Sequence, residues 1–193
     1  MVSVGFRTAS ATDYLSIANL HVRISSEAYA STLPSDYLAE VMPREKIELW
    51  ERRLAPPVRS EELSITLAEV HTDLIGFACF VFSEETHFGS YLHNLYVDPA
   101  FQGNRLGPRL LIESIDRFPS ERRETPVHLL TMRENYQARR FYERLGGALI
   151  EEKQSVMSRY PEIIFVRYQW PSALVMASNA LALSGYSHRA SGR

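Results

Sequence analysis

The chain has a single cysteine, Cys79, among its 193 residues, which rules out an internal disulfide and suits a reducing compartment. Cys79 lies inside the apolar run Leu74 to Phe82, where a thiol reads as a small buried hydrophobe and not as a nucleophile. Excess charge is missing too. The formal net charge is −2, so no basic surface is expected to attract nucleic acid. No apolar run reaches the length of a membrane span, and no signal-peptide pattern opens the chain. There are no internal repeats and no Gly-Lys-Ser/Thr phosphate loop, and no metal site is expected. A cytoplasmic protein follows, with neither nucleic acid nor membrane as partner. What is present is ordinary for a globular chain: 45% apolar and 23% charged residues, in a length that suits one domain with a full core.

The layout is mixed. Val4 to Arg7 is a short candidate strand. Ser10 and Asp13 are spaced like a helix-start pair, with Thr12 as the other candidate cap. Ile17, Leu20, His21, Ile24 and Ala28 recur at helical spacing, and His21 on that face reads as a packed histidine. A second helical stretch runs from near Asp36 to about Leu54, with Pro43 near the start of its helix. Leu63 to Val70 and Leu74 to Phe82 form a hairpin around His71-Thr72-Asp73. Tyr91 to Val97 is a buried strand ended by Asp98-Pro99, and Leu106, Leu110, Leu111 and Ile115 mark the helix that follows. Val127 to Met132 is another strand, Asn135 the cap of a helix stopped by Gly146-Gly147. Ala148 to Glu152 and Glu162 to Trp170 close the sheet. The order βααβββαβαββ is an α/β (α+β) arrangement and not a series of βαβ units. The core is expected to finish at Pro171, leaving 1–171 as the domain and 172–193 as an extension with a short helix and a frayed end.

Between the central strand and its helix stands Gln102-Gly103-Asn104-Arg105-Leu106-Gly107. A helix start leaves N–H groups free and carries partial positive charge, so this turn suits a phosphate. A plain connection with two glycines fits the residues equally well. The next segment decides. LYVDPAFQGNRLG resembles the acyl-CoA-binding signature of the GCN5-related N-acetyltransferases, Gln/Arg-x-x-Gly-x-Gly/Ala, with Arg105 standing where that family has its first glycine. Downstream, ENYQARRFYERLGG is similar to the family's other pattern, with Asn135, Ala138, Phe141, Tyr142 and Gly146 in register.

That resemblance implies a single domain with a mixed, mostly antiparallel sheet splayed at its central strand and helices on both faces. It implies acetyl-CoA as co-substrate, its pyrophosphate on the backbone of Gln102, Gly103, Asn104, Arg105, Leu106 and Gly107. The pantetheine arm would pair with the strand end at Leu95, Tyr96 and Val97, near Asn135 and Ala138. Tyr142 matches the tyrosine that protonates the departing thiolate.

The chemistry implied is acetyl transfer to a primary amine of a small molecule or peptide. A lysine-like ammonium has a pKa near 10, so only about one in a thousand is free base at neutral pH, and a base is useful. Tyr91 stands where many family members carry a strand glutamate. His93, two residues on and on the same face by strand alternation, is the substitute base, with Glu84, Glu85 and His87 as further candidates. Acceptor groups are expected from three segments: 25–37, with Glu27, Tyr29 and Tyr37; 83–90, with Glu84 and Glu85; and 153–160. The three glutamates favour a cationic acceptor. The alternative is a non-catalytic acyl-CoA-binding or regulatory module, which a missing strand glutamate permits and Tyr142 argues against. The apolar tail residues Leu174, Val175, Leu181 and Leu183 should pack on the domain or across a homodimer.

Overall fold

The computed structural model describes residues 3–57, 60–154 and 163–185. Its elements are β1 (Gly5–Thr8), α1 (Tyr14–Ala28), α2 (Met42–Leu54), β2 (Leu63–Val70), β3 (Asp73–Val81), β4 (Ser90–Val97), α3 (Leu106–Ile115), β5 (Val127–Met132), α4 (Tyr136–Arg144), β6 (Ala148–Gln154), β7 (Ile164–Trp170) and α5 (Ala173–Ser184). The expected start of the last strand at Glu162, most of the acceptor segment 153–160 and the tail beyond Gly185 lie outside the described residues.

Local chemistry sets the boundaries. Ahead of α1, the Asp13 carboxylate accepts from the Ser10 backbone N–H at 2.7 Å, so Ser10 and not Thr12 partners Asp13. A π-helical turn, Tyr37–Val41, feeds α2, and Pro43 occupies the first turn of that helix, where its missing N–H breaks no bond. The β2–β3 hairpin reverses at His71, whose φ of 55° is left-handed.

The seven strands lie in the order β1-β2-β3-β4-β5-β7-β6. All pairs are antiparallel except β4 with β5. That parallel pair joins at only two positions, Ser90 with Val127 and Tyr91 with His128, and the strands then part. The closed end is pinned by Gly89, at φ 100°. The Ser90 N–H donates to the Pro126 carbonyl at 2.8 Å, and a Cβ on Gly89 would sit 2.0 Å from that same oxygen. A bulge on the other side of β4 adds twist: Cys79 pairs with Asn94 and Phe80 with Leu92, leaving His93 unmatched.

Two cores sandwich the sheet. One packs α1 and α2 on it through Ile17, Trp50, Leu67 and Phe77. The other packs α3 and α5 through Phe80, Leu110, Leu111, Trp170 and Met176. A third cluster, Leu33, Leu38 and Met42 against Met132 and Ile163, brings the α1–α2 link down on the ends of β5 and β7. Cys79 is wholly buried, and burial pushes its thiol up to about 12, which suits packing and not nucleophilic attack. The core does not finish at Pro171. Ala173, Met176 and Ala180 are fully buried in the second cluster, so the tail helix packs on its own domain with Leu174 and Val175 facing out. Among the described residues, no helix is long and apolar enough to cross a membrane.

Candidate active site

The parting of β4 and β5 opens a cleft of about 510 Å³. One wall is the free edge of β4 at Leu95, Tyr96 and Val97. The floor is the turn into α3, and the opposite wall is α4 with Asn135, Ala138 and Tyr142. Of the expected cofactor residues, only Asn104 stays out of the lining; its amide donates to the Phe101 carbonyl at 3.4 Å.

Each wall is fixed locally. The Gln102 side chain donates to the Val97 carbonyl at 3.1 Å and accepts from Gln137 at 3.2 Å, tying strand, turn and α4 together. Gly103 has φ 78°, and a Cβ there would meet nothing within 4 Å, so its glycine serves backbone conformation and not crowding. Asn135 caps α4, its Oδ1 accepting from the Ala138 N–H at 3.1 Å. The cap and the cleft role are therefore compatible. Phe141 and Tyr142, expected on a buried helix face, are only half-buried because that face borders the cleft.

Three tyrosines converge there. Tyr29 hydrogen-bonds to Tyr96 and Asn135, and Tyr96 Oη lies 3.1 Å from Ser25 Oγ. Tyr142 is held well above the usual phenol range, by burial first and then by Tyr96 and Tyr91. It is therefore fully protonated at neutral pH and able to donate.

The expected base lies elsewhere. His93 does not line the cleft. Its Nδ1 is 2.7 Å from Asn94 Oδ1 and 3.3 Å from Arg53 Nη1, on the α2 side of the sheet. Burial, then the Arg53 charge, pushes its pKa down to about 4, so it is neutral but weakly basic at pH 7. Strand alternation would have kept His93 with Leu95 and Val97. The bulge breaks that alternation, and Leu95 and Val97 instead join Leu92 in the core on the α3 side.

Glu85 is committed to structure. Arg167 Nη1 and Lys153 Nζ lie 2.9 and 3.2 Å from its carboxylate, and the Arg167 hydrogen bond holds its pKa down to about 2. Glu84 stands 3.7 Å from Arg53. Glu27 is exposed and outside the cleft lining, whereas Tyr29 lines it. Two of the three glutamates are thus paired with internal cations.

Sequence reasoning missed a buried polar group behind β4. The His128 ring stacks on Tyr91 at 4.8 Å and 3° between planes, and its Nδ1 is 2.7 Å from Arg167 Nη1. Arg167, itself almost fully buried, also meets Glu151 at 2.6 Å and lies over the Phe88 ring at 3.9 Å. The signal was an arginine and a histidine set inside apolar strands, FVRYQW and VHLLTM.

A family model described as the acetyltransferase (GNAT) family matches residues 26–147. An uncharacterized N-acetyltransferase of Archaeoglobus fulgidus is 34% identical over 83 residues, 40% of this chain and 55% of that relative, so the match spans little more than half the relative's length. The PaiA N-acetyltransferase of Thermoplasma acidophilum, solved in complex with coenzyme A, superposes with a TM-score of 0.69 at 16% identity, over 87% of this chain and 99% of that one. YncA of Salmonella typhimurium, a putative acetyltransferase solved with its cofactor acetyl-CoA, gives a TM-score of 0.60 at 18% identity, over 87% and 93%. At such identities the likeness to the solved structures is one of fold: a seven-stranded mixed sheet opened between β4 and β5.

Proposed function

The chain belongs to the acetyltransferase (GNAT) family, and on that premise we propose that it is an acetyl-CoA-dependent N-acetyltransferase acting directly on a primary amine of a small molecule or peptide. The observation that carries this reading is Tyr142, a protonated phenol on α4 in the wall facing the free edge of β4.

Acetyl-CoA supplies the activated acetyl group as a thioester. The turn 102–107 holds the pyrophosphate by backbone N–H groups at the start of α3. The β4 edge at 95–97 accepts the pantetheine arm much as an added strand. In the transfer, a C–N bond forms to the amine and the C–S bond breaks. Tyr142 gives its proton to the sulfur, while the amine nitrogen gives one up. His93 Nε2, left over by the contacts at Nδ1, is the proposed recipient, reached from the α2 side of β4.

The test is turnover with a broad amine panel, read as free thiol released, alongside a thermal melt with CoA. Gly107→Glu sets a carboxylate against the phosphates. A Cβ at Gly107 meets only the Phe141 ring, at 3.6 Å, so the fold should tolerate the change while the CoA-induced shift disappears. No shift in the unaltered protein at millimolar CoA would overturn the reading. A shift with no turnover on any amine would favour a binding module.

A further inference from the structure

Arg105 occupies the position where the signature has glycine, and its backbone is left-handed at φ 59°. A glycine adopts that conformation at lower cost than a residue with a Cβ. The guanidinium is engaged by α5. Its Nη1 donates to the Ser184 carbonyl of α5 at 3.0 Å. Gly185, also left-handed at φ 62°, ends that helix, and a Cβ on it would lie 2.1 Å from the same Nη1. A cation thus sits on the negative end of α5.

The helix is also fastened to the other wall of the cleft. Asn179 Nδ2 donates to the Leu145 carbonyl at 2.9 Å, just past the end of α4, and Trp170 Nε1 donates to that same oxygen at 2.8 Å. Leu183 of α5 lines the cleft. One helix therefore touches both segments that the family signature assigns to the cofactor, and the resemblance does not include that helix.

We propose that α5 is a working part of the cofactor site and that Arg105 is a positioning residue. Its bond to the end of α5 sets the turn 102–107 against α4 and fixes the width of the cleft, and it does not ligate phosphate directly. This rests on the reading of the cleft as the acetyl-CoA site.

The test compares the full chain with Arg105→Gly, Arg105→Lys, Gly185→Val and the double variant Arg105→Gly/Gly185→Val. Calorimetry gives the Kd for CoA, steady-state kinetics separate KM for acetyl-CoA from kcat, and melts report folding. Loss of one charge-assisted bond should weaken CoA binding by about tenfold or more in Arg105→Gly, with KM rising in step and kcat at saturation little changed. The melting temperature should hold, because glycine relieves the left-handed strain. Arg105→Lys, which can still reach the Ser184 carbonyl, should recover most of the affinity.

Gly185→Val decides between strut and ligand. Its side chain displaces the guanidinium from α5 but leaves the charge beside the turn. A strut predicts weaker CoA binding, and a double variant no weaker than Arg105→Gly alone. Unchanged or tighter binding in Gly185→Val, or wild-type affinity in Arg105→Gly, would overturn the proposal. A wild-type protein that binds no CoA would remove the functional reading and this inference with it, whereas a tight wild type with indifferent variants removes only the inference.

Discussion

Tyr142 and His93 share a cause, burial, that acts on them with opposite consequences. Burial disfavours the charged form, so it keeps the phenol protonated and the imidazole unprotonated, each in the state its proposed step needs. Tyr142→Phe keeps the ring against Phe141, Tyr168 and Trp170 and removes only the hydroxyl. General acids contribute about a hundredfold or more, so kcat should fall at least about tenfold with KM for acetyl-CoA little changed. Full activity in that variant would refute the acid assignment. His93 carries a prediction in pH. A base titrating at its ordinary value would end activity as pH falls through the middle sixes; with its pKa at about 4, kcat/KM should stay level to well below pH 6 and decline toward 4. His93→Gln should remove that acidic limb. If the limb survives unaltered, the proton goes to water or to another group.

At the scale of elements, the strand–turn–helix around β4 and α3 and the capped helix α4 were legible because periodicity, caps and motif spacing agree there. Asn135, Ala138 and Tyr142 line the cleft. Three features were not legible. The bulge at His93 turns Leu95 and Val97 to the face opposite Tyr91 and His93 without any glycine or proline to announce it. The Glu85–Arg167–His128 group draws on β5, β7 and the loop before β4, and only tertiary pairing brings them together. The packing of α5 on the domain was expected, but the face that does it was hidden by small residues: Ala173 and Ala180 carry no strong apolar signal yet are buried, whereas Leu174 and Val175 face out. Deleting 172–193 would expose that core face and release the turn, so the melting temperature should drop by several degrees or more and CoA binding should weaken with it. Gly89→Ala tests the closed end of the splay. A Cβ would sit 2.0 Å from the Pro126 oxygen at φ 100°, and a cost of about 3 kcal/mol or more is expected from left-handed strain plus backbone collision. A melt unchanged by Gly89→Ala would mean that the β4–β5 junction gives way freely.

The whole molecule hides charge unevenly between its two faces, and that sets how it should respond to acid. On the α1–α2 side, His21 is pushed well below its ordinary range by burial first, with Lys46, His93 and Arg53 adding to the effect. His93 and His128 are each pushed down to about 4, again by burial and then by Arg53 and Arg167 respectively. All three have lower pKa values folded than unfolded, so the unfolded chain binds their protons first. The stability they lend is intact above about 6.5, the unfolded value, and is lost as pH falls from there toward 4. The paired carboxylates act later. Arg7 holds Asp13 at about 2, tying β1 to the start of α1, and Arg167 holds Glu85 at about 2. Their contributions persist above the unfolded carboxylate values near 4 and are lost as pH falls from there toward 2. The melting temperature should therefore begin to fall between pH 6.5 and 4, before any paired carboxylate is protonated, and steepen below 4. Replacing one histidine by a neutral residue of similar shape, as in His93→Gln, should flatten the upper part of that curve and leave the lower part in place. A melting temperature constant from pH 7 down to 4.5 would show that the folded and unfolded chains take up the same protons over that range, so that these histidines titrate at their ordinary value in the fold, and kcat/KM would then decline through the middle sixes and not toward 4.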